Sequence, residues 1–283
     1  MMEILRYLIE PFTFDFMQQA LVISLLVSIA AGALSCLLVL KGWSLMGDAV
    51  SHAVLPGIVI AYILNVPMLI GAFLSGMVCA LSTGFLTNNS RLKEDTVMGV
   101  VFSGLFALGV ILFTKIHTSL HLDHVLFGNV LGVTWNDILL TASLTIPAFV
   151  LVVIKWRDLM VFAFDPQHAQ VVGLNTNVLH YGLLIVLSLV IVASIDAVGI
   201  ILVIAVLIAP GAISFQLSKR FENMLWWSIG ICAVSCVGGI ALSYHLDSAP
   251  APTIVVILSA IFVLSFLFAP EKGILRTAGS VER

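Results

Sequence analysis

Apolar residues run almost unbroken for roughly twenty positions at a time along this chain, long enough for a helix to cross the hydrocarbon core of a bilayer. Charged residues or short Pro, Gly and Asn clusters separate the runs. They lie at 17–40, 44–64, 67–87, 96–115, 135–154, 178–195, 198–218, 224–244 and 252–269. The pattern predicts an all-α polytopic membrane protein of about nine spanning helices, with eight as the alternative count. The runs that abut at SIDAVG, around Asp196, together approach about forty residues, too many for one crossing. They demand a tight hairpin, in which the short polar Asp196 beside Gly199 reads as a turn residue. The stretch 117–134 is too polar to span and is expected to form an external loop with a short helix. Ile4, Leu5, Leu8, Ile9 and Phe12 suggest an amphipathic turn or two at the membrane surface. Small residues recur every fourth position in three runs: Ser24, Ser28, Gly32 and Cys36; Gly76, Ala80 and Gly84; Gly99, Ser103 and Ala107. Such faces let helices pack closely.

Basic residues orient the bundle, because Lys and Arg concentrate in short cytoplasmic loops. With nine spans and the amino terminus outside, Lys41, Arg91, Lys93, Lys155, Arg157, Lys219, Arg220, Lys272, Arg276 and Arg283 fall inside, and only Arg6 and Lys115 outside. The expected arrangement is an extracytoplasmic amino terminus and a cytoplasmic carboxyl terminus. Composition agrees with a membrane location, since 61% of residues are hydrophobic, 10% are charged and mean hydropathy is +1.17. The amino terminus has neither the basic front nor the small-residue cleavage site of a removable signal peptide. A net charge of -3 with no basic stripe offers nothing to nucleic acid. No soluble insertion divides residues 1–283, which read as one membrane domain. Cys36, Cys79, Cys232 and Cys236 all fall within apolar runs and are expected to pack rather than bind metal.

Two ionisable residues stand where lipid should exclude them. Asp48 and His52 are four apart on the second run, which places both on one helical face about 6 Å apart along the axis. Intramembrane ionisable groups are costly and mark pathways or relays. Carboxylate oxygen with imidazole nitrogen suits manganese, iron or zinc. The same pair also fits a proton relay, or a hydrogen bond that only glues helices. Two ligands leave a metal undercoordinated, so the metal reading calls for matching ligands from a second chain across a shared axis. Outside, His117, His121, Asp123 and His124 form a possible metal-entry loop, with solvated histidines as the alternative. His180 and His245 show no partner in the sequence.

After the fifth run, KWRDLMVFAFDPQHAQVVGLNTN carries the signals of a short helix: Asp165 as N-cap, Pro166 as first helical residue and Gly173 as terminator. It reads either as a surface connection or as a coupling helix held by a motor subunit. No G-x-x-x-x-G-K-[ST] loop occurs, so the chain is not itself a P-loop ATPase, and no other catalytic constellation marks it as an enzyme.

These stretches carry a resemblance that runs almost end to end. VLKGWSLMGDAVSHAVLPG at 39–57, LFGN at 126–129, FDPQHAQVVGLN at 164–175 and ILVIAVLIAPGAISFQL at 201–217 are similar to the permeases of zinc, manganese and iron ABC importers, above all the iron/manganese branch of enteric bacteria. The resemblance implies a permease subunit of the bacterial inner membrane, paired with a second permease chain as homodimer or heterodimer. Cytoplasmic ABC ATPase subunits and an extracytoplasmic metal-binding protein would be its partners. It also implies that Asp48 and His52 hold the transported Mn2+, Fe2+ or Zn2+, with no permanent cofactor, and that Asp165, Pro166, Ala169 and Gly173 belong to the coupling helix. A stand-alone proton-coupled transporter using the same pair as a relay is the alternative.

Overall fold

A computed structural model describes residues 10–115 and 128–268. A 3-10 turn at Glu10–Thr13 leads into ten α-helices: α1 Asp15–Lys41, α2 Met46–Ile63, α3 Met68–Asn89, α4 Glu94–Lys115, α5 Trp135–Ile154, α6 Trp156–Phe164, α7 Pro166–Val171, α8 Thr176–Leu217, α9 Phe221–His245 and α10 Pro250–Phe268. Among the described residues eight helices are long and apolar enough to cross a membrane, each within a few residues of a run in the hydrophobic pattern. The chain is a multi-pass membrane protein.

The count of eight becomes nine because α8 is two helices. Straight, its 42 residues would extend about 63 Å, twice the hydrocarbon thickness. Gly199 breaks it with φ 79° and ψ 163°, a conformation that glycine adopts without steric cost. On the first limb His180 packs against Trp43 and Val192 against Gly76. On the second, Leu207 packs against Gly47 and Gly211 against Ser35. The limbs therefore run in opposite directions. The reversal expected around Asp196 sits three residues later: Asp196 stays helical and exposed, and Gly199 supplies the backbone angle. Gly128, itself at φ 67°, lies against the backbone of Val198 and Gly199, so a side chain at Gly128 would wedge against the hairpin.

The same contacts gather Lys41, Arg91, Lys93, Lys155, Arg157, Lys219 and Arg220 at one end of the bundle, hereafter the Lys41 end. The C-terminus of α3 reaches it where Gly84 meets His180, α6 where Phe162 lies under Lys41, and the start of α9 where Phe221 stacks on Trp156. Lys115, closing α4, lies at the far end.

Helices α1, α2 and α8 form the centre, whereas α4 and α10 are largely uncovered. The small face of α1 meets α9: Cys232 Sγ fills the space above Gly32, Ser228 donates to the Gly32 carbonyl at 2.7 Å, and Ser28 and Cys236 share a 2.9 Å hydrogen bond. All four cysteines are free and buried. Backbones touch at Gly57 of α2 and Gly71 of α3, where a Cβ on either would collide with the other's carbonyl oxygen, and Gly109 of α4 leaves room for Pro56. The third small-residue face behaves differently. Gly99 and Gly104 of α4 have open space beside them, and Ser103 and Ala107 are exposed. Among the described residues this flank is uncovered.

Candidate functional site

Helix α2 begins from a rigid corner. Gly42 ends α1 in the left-handed region (φ 77°), with Trp43 N–H donating to Leu38 O at 2.8 Å and Met46 N–H to Trp43 O at 3.0 Å. These bonds satisfy terminal backbone groups of both helices. Asp48 falls in the first turn of α2, where the helix dipole favours an anion. One turn on, His52 Nε2 lies 3.3 Å from Asp48 Oδ1, and the two side chains remain 29% and 35% exposed respectively. The His52 ring packs edge-on against Phe106, centroids 5.5 Å apart, and near Phe102 at 6.3 Å, both on α4. Pro56 follows inside the helix.

The pair thus opens onto the α2/α4 flank rather than into the packed centre. Among the described residues no three His, Cys, Asp or Glu side chains converge, and Asp48 and His52 are two donors in one place. A groove of about 830 Å³ lies elsewhere, at the Lys41 end between α6, α8, α9 and α10, and includes neither Asp48 nor His52.

At the same end α6 and α7 form a bent arm. Asp165 closes α6 and caps α7: its Oδ1 accepts from Gln167 N–H at 2.9 Å and His168 N–H at 3.0 Å, with Pro166 in the first turn. Gly173 (φ 88°) terminates the helix while its N–H reaches Gln170 O and that of Leu174 reaches Ala169 O. Ala169 is buried, whereas Val171 is 84% exposed, Val172 61% and Phe164 65%. The short, doubly capped helix thus holds an apolar tip in the open.

Residues 13–269 match the ABC 3 transport family. The chain belongs to that family. It is 52% identical over 263 residues to a probable iron transport system membrane protein of Haemophilus influenzae, covering 93% of this chain and 97% of that protein. It is 48% identical over 270 residues to the manganese transport system membrane protein MntB of Synechocystis, covering 95% and 88%. Among solved structures, PsaBC from Streptococcus pneumoniae in complex with Fab superposes with a TM-score of 0.84 at 35% identity, covering 97% of this chain and 99% of that one.

In this ABC 3 protein, then, the structure brings Asp48 and His52 together and builds the helix around Asp165, Pro166, Ala169 and Gly173. His117, His121 and His124 lie outside the described residues. His180 has gained neighbours that the linear pattern did not reveal: its ring sits edge-on to Trp43 at 5.2 Å, Tyr181 at 5.0 Å and Phe162 at 6.2 Å. His245 packs against Tyr244. Lys41 joins the His180 group, its Nζ 4.4 Å from the centre of the Phe162 ring. A lysine, a tryptophan and a histidine near span ends were the signal available; their convergence was not.

Proposed function

We propose that the chain is the permease subunit of an ATP-driven importer of manganese or iron, and that Asp48 and His52 hold the ion during its passage. The observation that carries this reading is the 3.3 Å approach of Nε2 to Oδ1 on an open flank. With metal–ligand distances of ~2.1 Å, donors that far apart subtend about 100° at a shared cation, close to the angle between neighbouring ligands in tetrahedral or octahedral coordination. The equivalent pair of a second permease chain, meeting this one along α2 and α4, would raise two donors to four. The exposed Ser103, Gly104 and Ala107, with the half-buried Gly99, provide the small-residue surface such a contact uses. Iron and manganese transport, the roles named for its relatives, set the substrate class.

In this reading the Lys41 end faces the cytoplasm, where basic loops concentrate. Separate ATPase subunits grip the apolar tip of α7, and a binding protein delivers the ion at the far end. The permease makes and breaks no covalent bond. Proteoliposomes holding the chain with its ATPase are expected to accumulate manganese or ferrous iron only when ATP is present. Uptake by the chain alone, driven by a proton gradient, would establish the secondary-transporter reading instead.

The α7 cap gives a second expected outcome. Asp165→Ala removes two backbone hydrogen bonds and costs about 1 kcal/mol of helix stability. The expected result is ATP hydrolysis that persists while uptake per ATP falls several-fold, with metal binding intact. Equal loss of all three would show that Asp165 serves the fold as a whole.

A further inference from the structure

Helix α7 is tied into the bundle at both ends, and both ties end in one cluster. Backwards, Phe162 lies three residues before the Asp165 cap, on α6. Forwards, His180 lies one turn into α8 beyond Thr176, whose Oγ1 is bonded by Gln170 of α7 at 3.0 Å. The two rings meet edge-on at 6.2 Å. Between them and the candidate metal site stands the α1–α2 corner: Lys41 Nζ is 4.4 Å from the Phe162 centroid and 5.9 Å from that of Trp43, and Trp43 meets His180 at 5.2 Å. Trp43 is fully buried, and its carbonyl accepts the Met46 N–H at the start of α2, about half a turn before Asp48. Glu94, the first residue of α4, interacts electrostatically with Lys41, and α4 carries the Phe102 and Phe106 that back His52.

We propose that Lys41, Trp43, Phe162 and His180 form the joint through which displacement of α7 reaches the first turn of α2, so that Lys41 and Phe162 carry the coupling between the two and take no part in holding the ion. The proposal rests on the reading of α7 as the motor-gripped helix. A packed interior transmits displacement instead of absorbing it, and the cation–ring contact between Lys41 and Phe162 spans the two moving parts. Trp43 also pairs with the Glu94 carboxylate through its ring N–H, which ties the start of α4 to the same corner.

The test compares Lys41→Gln with Lys41→Arg in proteoliposomes containing the ATPase, measuring manganese uptake and ATP hydrolysis together. Lys41→Gln keeps the packed rings and removes only the cation. ATP consumed per ion is expected to rise roughly two- to thirtyfold, the range spanned by a partly to fully desolvated cation–π contact. Manganese binding and co-purification with the ATPase should stay unchanged, and Lys41→Arg should keep the wild-type ratio. Phe162→Leu should reproduce the rise and Phe162→Tyr should not. An unchanged ratio in folded Lys41→Gln and Phe162→Leu overturns the proposal, as does a rise accompanied by lost ATPase assembly or lost manganese binding. Wild-type protein that imports no metal with ATP would refute the importer reading itself, whatever these variants do.

Discussion

Asp48→Asn and His52→Ala are each expected to abolish ATP-driven metal uptake while leaving a folded, ATPase-assembled permease. Both side chains are partly exposed, and neither fills the buried core, so truncation removes chemistry and little packing. Loss of a metal-site residue that only supports a ligand costs roughly 10–100-fold in affinity; loss of a ligand itself, doubled by symmetry across two chains, should exceed that. Asparagine tells the three readings of the pair apart. It retains the shape and hydrogen-bonding oxygen of aspartate, so a pair that merely glues helices would tolerate it and uptake would survive. A proton relay would lose function too, but its wild type would transport without ATP. Manganese binding to the purified protein, measured by isothermal calorimetry alongside uptake, completes the comparison: a first ligand lost means binding and uptake lost together.

The elements legible in the sequence were those whose cause is local. Lipid as solvent imposes a length and a composition on each span, and every run from Asp15–Lys41 to Pro250–Phe268 announced itself that way. The α7 caps were equally readable, because Asp165, Pro166 and Gly173 act on backbone groups within three residues of themselves. Asp48 and His52 stood out by charge in an apolar run, and their shared face follows from helical spacing alone. What stayed hidden needed the third dimension. Helix α6 is only nine residues long and its Trp156 finds its stacking partner in Phe221, far along the chain. The Lys41 cluster draws on four separate stretches, around residues 41–43, 94, 162 and 180, none of them unusual by itself. Even the small-residue faces divided unpredictably: Gly32 packs under Cys232, whereas Gly99 faces open space. Spacing identifies a surface suited to close approach and says nothing of whether the same chain or another one covers it.

The largest expected effect on folding comes from a glycine that no four-residue repeat had marked. Gly57→Leu should prevent accumulation of folded permease, seen as lost membrane-inserted protein and early aggregation in detergent on heating. The reason is geometric. At the α2/α3 crossing the position of a Gly57 Cβ is already taken by the Gly71 carbonyl oxygen, with Ser75 Cβ at 2.6 Å, and the reverse holds for Gly71 against Gly57 and Ala61. Overpacking against a flexible side chain costs about 1–3 kcal/mol, but here the obstacle is backbone, so the whole crossing must widen. Widening also breaks the 2.6 Å bond from Ser75 Oγ to the Ala53 carbonyl, one turn beyond Asp48 and adjacent to His52. Gly57→Ala grades the effect: even one methyl meets the carbonyl, so the melting temperature should fall, and any surviving protein should bind manganese more weakly because α2 has shifted. Gly99→Ala, on the same fold but with open space beside it, is the control and should leave the melting temperature of the isolated chain unaltered. Equal stability of Gly57→Ala and wild type would mean that the two helices do not cross backbone to backbone.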